Sequence, residues 1–89
     1  MDRQELRGSL KQLVRNLRKG KIAEATEIIP EVTDGIKDIL LAQEEEKLKN
    51  AAFVMRSIVT SFQKQDYVLM ADLIEYEILP LLSANSVDN

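Results

Sequence analysis

Asp72, Glu75 and Tyr76 stand at i, i+3 and i+4, with Glu77 and Tyr67 close by, so a helix through them gathers carboxylates and a phenol beside apolar surface. Such a group suggests acid–base work or the binding of a hard cation. Two carboxylates can exchange a proton with a substrate, but the chain has no His and no Cys. That removes the commonest general base, the nitrogen and thiolate metal ligands, and every Ser-His or Cys-His arrangement. Helical di-iron and di-manganese sites need a Glu-x-x-His pair on each of two helices. A magnesium or calcium ion needs more convergent oxygens than one helix supplies. No glycine-rich phosphate cradle is present. The expectation is a chain with no catalytic residue, no metal and no cofactor, and not an enzyme. The cluster then reads as a polar helix flank whose tyrosine hydroxyls bond to carboxylates.

The second source of chemistry is charge. Residues 1–21 carry seven basic side chains against two acidic ones, a net of +5, and the remainder carries five against thirteen, a net of −8, giving −3 for the whole chain. Arg3, Arg7, Lys11, Arg15 and Arg18 form one stripe along a first helix, and Glu24, Glu27, Glu31, Asp34 and Asp38 form an opposite stripe along a second. A basic helical stripe can track phosphates, which makes a nucleic-acid-associated protein the alternative reading. It has no aromatic residue for base stacking, however, and is tethered to a strongly acidic remainder, so nucleic acid is disfavoured as a partner. Complementary stripes select and orient partners while adding about 0–1 kcal/mol per exposed pair. Pairing between molecules is as open as pairing within one.

The elements that position these groups are helical. Leu, Ile, Val and Phe number 28 of 89 residues, enough for a core, and no Gly or Pro falls between Ile36 and Leu79. The expected fold is all-α, a four-helix bundle made of two αα-hairpins in a single domain over 1–83, with helices near 2–19, 21–43, 46–64 and 66–82 and a frayed tail at 84–89. Asp2 and Asp66 are the expected N-caps, and Lys19-Gly20 ends the first helix. Ile22, Ala25, Ile29, Val32, Ile36 and Ile39 hold a heptad seam through Pro30, which predicts a kink there. A new helix starting at Pro30 is the other reading. Beyond Ile36 the seam loses phase, which predicts a turn near Glu44–Lys47, against one long helix with a rotated face.

A shift of 45 residues lays the first hairpin on the second, and ten apolar positions between Leu6 and Ile29 meet ten between Ala51 and Ile74. Identity is confined to Val14/Val59, Lys19/Lys64 and Ile29/Ile74. The pattern predicts two similar helix-turn-helix units packed face to face.

The stretch from Asp66 to Leu82 reads D-Y-x-L-x-A-D-L-x-E-Y-E-x-x-P-x-L. It resembles a segment of small uncharacterised helical proteins of Bacillus-like bacteria, a resemblance that implies a bacterial cytoplasmic protein and carries no activity or site residues. The same stretch is apolar almost all round, more so than one face of a four-helix monomer needs. A homodimer interface or a groove for a partner helix would cover the surplus. With neither a signal peptide nor a membrane span in the pattern, and with no Cys, the expectation is a cytoplasmic, non-catalytic protein–protein interaction module, an adaptor, regulator or chaperone. It would bind a protein partner through Leu69, Leu73, Tyr76 and Leu79 together with Arg7, Lys11 and Arg15, and would itself be a homodimer.

Overall fold

A computed structural model describes residues 2–82; the expected tail at 84–89 lies outside the described residues. The described chain is all-α, with helices α1 (Arg3–Arg18), α2 (Ile22–Leu41), α3 (Glu45–Gln63) and α4 (Tyr67–Leu73). A π-helical turn, Ile74–Ile78, continues α4, and helix resumes over 79–82, so 67–82 forms one C-terminal helix.

Each boundary has a local cause. The Asp2 carboxylate accepts the Glu5 N–H at 2.7 Å and the Asp66 carboxylate accepts the Leu69 N–H at 3.1 Å, satisfying donors that a helix start leaves orphaned. At the end of α1 the Lys21 N–H bonds the Asn16 carbonyl at 2.8 Å and the Gly20 N–H bonds the Leu17 carbonyl at 3.2 Å, with Gly20 at φ 74°. This pair of bonds is the Schellman motif, and the left-handed residue at its centre favours glycine. The end of α3 repeats it: the Asp66 N–H bonds the Ser61 carbonyl at 2.8 Å and the Gln65 N–H bonds the Phe62 carbonyl at 3.0 Å, with Gln65 at φ 59°.

α2 runs through Pro30 as one helix, so no new helix begins there. Thr26, whose carbonyl the proline leaves without its helical donor, is exposed, where water can serve instead. The chain breaks between α2 and α3 at 42–44, which excludes one long helix. Tight bonds from the Ala42 and Gln43 N–H groups to the Ile39 and Leu40 carbonyls end α2, and the Gln43 side chain donates to the Ile39 carbonyl at 3.3 Å. These bonds stop the helix without Gly or Pro. The π-turn precedes Pro80, which has no N–H to offer and whose ring crowds the carbonyl four residues back. The Leu79 N–H instead reaches the Ile74 carbonyl, and the widened turn accommodates the proline.

α1 packs against α2 and against the C-terminal helix, α3 packs against the C-terminal helix, and α2 and α3 touch least. The core follows from this arrangement. Leu6, Leu10, Leu13, Val14 and Leu17 of α1 meet Met70, Ala71, Ile74, Ile78 and Leu82, all buried, with Ala25, Val32 and Ile36 from α2 and Ile58 from α3. Most of the apolar surplus of the C-terminal helix is thus covered within the chain, leaving Val68, Leu69 and Tyr76 exposed. Gly35 lets α2 come close to α1: a Cβ there would lie 2.8 Å from a methyl of Leu6. No helix among the described residues is long and apolar enough to cross a membrane.

Candidate functional site

The residues that join α1 to the C-terminal helix also carry the chemistry. Arg18, at the end of α1, donates through Nη2 to Asp72 at 3.0 Å and to Glu75 at 3.1 Å. Asp72 and Glu75 lie one helical turn apart, so a single guanidinium spans both. Their hydrogen bonds, and then their charge, push Arg18 above its already high ordinary value, so it stays a cation at any working pH. These are the only ion pairs among the described residues, and each partner is over a third exposed. The arrangement therefore aligns the helices more than it stabilises them. The carboxylate cluster, read from the sequence as a polar helix flank, is in this way engaged by Arg18 from another helix. No group of three or more candidate metal ligands exists among the described residues.

Next to this clamp, Lys11, Val14, Arg15, Arg18, Glu75 and Leu79 line a groove of about 400 Å³. Its floor is apolar, from Val14 and Leu79, and two cations with no carboxylate partner, Lys11 and Arg15, stand along its α1 side. Glu75 and Leu79 sit at the start of the π-turn and just beyond it, so that turn shapes the opposite wall. Beside the groove Tyr76 is 64% exposed, and hydrogen bonding to the Glu75 carboxylate, followed by its charge, raises the phenol above its ordinary value.

Three residues singled out from the sequence, Lys11, Arg15 and Leu79, thus converge, and Tyr76 lies at their margin. Arg7 is half-buried, with its Nε buried and without a hydrogen-bond partner, and Leu73 is half-buried against the core. Leu69 faces a different concavity, of about 350 Å³, where it meets Phe53, Arg56, Thr60 and Lys64 between α3 and α4. Phe53 and Arg56 lie off the apolar row expected for α3; an aromatic in such a position is the signal the sequence does carry, and Phe53 is indeed 65% exposed. Sequence reasoning passed over the Arg18 clamp, which the i, i+3 carboxylate pair could have suggested.

The acidic stripe takes the other flank of α1. Glu31, Asp34 and Asp38 of α2 line a hollow with Glu5 and Gly35. Although α1 and α2 pack together, their opposite stripes make no ion pair with each other. The molecule presents a basic groove on one side of α1 and an acidic one on the other.

Residues 4–85 match the model of a family described as Domain of unknown function (DUF8042). No curated protein and no solved structure matches the chain.

Proposed function

We propose that this chain, which belongs to the DUF8042 family, is a non-catalytic protein–protein interaction module that takes an acidic amphipathic helix of a partner protein into the groove between α1 and the C-terminal helix. The observation that carries the reading is the pairing of an apolar floor, Val14 and Leu79, with the unpaired cations Lys11 and Arg15. A partner helix would bury apolar side chains on that floor and lay carboxylates along the cations, the arrangement of helix-in-groove recognition. The Glu75 carboxylate in the wall and the lack of an aromatic in the lining favour a protein over a nucleic acid. In this reading the helices form two αα-hairpins closed into a bundle, α2 is bent at Pro30, and the protein works as a homodimer in the bacterial cytoplasm as an adaptor, regulator or chaperone.

A photo-crosslinking amino acid placed at Lys11 in the native host tests it. The expected product is a covalent adduct to an acidic helical segment of a protein, lost when Arg15 is replaced by Glu. Adducts to RNA or DNA, or the absence of a protein adduct at Lys11 while the same probe at Phe53 gives one, would reject the groove.

A further inference from the structure

We infer that in the free protein this groove is occupied by the acidic stripe of α2 from a second copy of the chain, and that the exchange is reciprocal. The inference rests on the reading of the groove as a seat for an acidic helix and names its occupant. Three observations support it.

The first is complementarity that the monomer does not use. Lys11 and Arg15 have no carboxylate partner, nor do Glu27, Glu31 and Asp34 have a cationic one, among the described residues. All five are exposed.

The second is matched spacing. Lys11 and Arg15 are four residues apart, as are Glu27 and Glu31, roughly 6 Å along a helix axis in each case, so one antiparallel or parallel placement aligns both pairs. The monomer cannot form these pairs, because the basic groove lies toward the C-terminal helix and the acidic hollow toward α2.

The third is closure. With basic and acidic grooves flanking α1 on opposite sides, a two-fold axis parallel to α1 sets the stripe of each copy opposite the groove of the other. Both contacts then form at once, and association stops at a dimer. Between the grooves α1 presents Gln4, Gly8 and Gln12 to solvent at i, i+4 and i+8. They are uncharged, and a Cβ at Gly8 would meet nothing within 4 Å, so two α1 helices can approach there.

Sedimentation equilibrium on the whole chain tests the pairing. A dimer at about 20 mM salt whose dissociation constant rises at least about tenfold by 0.5 M is expected, because exposed charge pairs are screened over a few ångströms there. Lys11→Glu with Arg15→Glu should give a monomer, and so should Glu27→Lys with Glu31→Lys. Mixing the two reversed chains should restore a heterodimer, since each groove then meets a stripe of opposite sign. All substituted positions are exposed, so circular dichroism should show unchanged helix content in both variants. As a geometric check, Gly8→Cys should oxidise to a disulfide-linked dimer in this cysteine-free chain, whereas Lys49→Cys on α3 should not. A wild-type monomer at low salt, a dimer indifferent to salt, or reversed chains that fail to pair on mixing would overturn the inference. A foreign acidic partner crosslinked at Lys11 would stand regardless, so the two readings fail separately.

Discussion

Gly20 and Gln65 hold the same left-handed turn 45 residues apart, at φ 74° and 59°, inside the same pair of helix-ending hydrogen bonds. Asn16 and Ser61, which supply the longer-range carbonyls, are also equivalent, and they are the buried polar residues of the described chain, at 6% and 2% exposure. Each satisfies its side chain locally: Asn16 accepts from Gln12 at 3.0 Å, and Ser61 donates to the Ser57 carbonyl at 2.7 Å. The two turns differ in cost. A left-handed conformation opposes a side chain by about 1–2 kcal/mol, from which glycine is exempt. Gln65→Gly should therefore raise the urea midpoint, by the equivalent of about 1 kcal/mol, and Gly20→Ala should lower it by a similar amount. Equal midpoints for wild type and Gln65→Gly would show that the second turn carries no such strain.

The remaining helical glycines separate backbone propensity from packing. Gly8 is exposed with open space where a Cβ would be, and Gly35 faces Leu6, itself 1% exposed. At 0.5 M salt, where the chain is mainly monomeric, Gly8→Ala should stabilise it by about 0.5–1 kcal/mol through helix propensity. Gly35→Ala gains the same propensity but pushes a methyl into a filled core, where overpacking costs about 1–3 kcal/mol, so its net effect should be a loss. Chemical denaturation of the two variants should shift in opposite directions.

Sequence pattern made some of this legible and not the rest, for physical reasons. Caps and apolar phase are local properties, which is why Asp2, Asp66, Gly20 and the buried face Leu6–Leu17 could be read directly. Gln43 could not, because the bond from its side chain to the Ile39 carbonyl has no signature in residue type. The π-turn was hidden too: a helix over 66–82 is expected to pass Pro80, but no residue pattern marks the widened turn before it, which buried Ile74, Ile78 and Leu82 hold in place. The groove was half legible. Lys11, Arg15 and Leu79 stand out by charge and surplus apolarity, but which helix lies beside α1 is a tertiary fact, and the Arg18 clamp and the place of Leu69 across α3 depend on it.

Tyr76 reports on the clamp through its titration. Hydrogen bonding to Glu75 and then its charge raise the phenol above about 10. The folded state thus holds this proton more tightly than the unfolded one, so the contribution to stability is fully present below about pH 10 and falls away as pH rises through the raised value. In a Tyr67→Phe background, which leaves one tyrosine, ultraviolet absorbance should show ionisation later than in a model peptide. Glu75→Gln should move it back toward the peptide value. An unshifted titration in the parent would mean that the phenol and the carboxylate do not meet in solution.

Val14 and Val59 are the same residue 45 positions apart, yet Val14 is 6% exposed and Val59 is 51% exposed. The C-terminal helix covers α1 at Val14, whereas α2 barely touches α3 and leaves Val59 open. The same truncation should therefore have unequal effects. Val14→Ala should destabilise by about 1–2 kcal/mol, from lost burial and the small void it leaves, while Val59→Ala should stay within about 0.5 kcal/mol. Thermal or urea unfolding decides it. If Val59→Ala costs as much as Val14→Ala, α2 and α3 close over that side chain in solution.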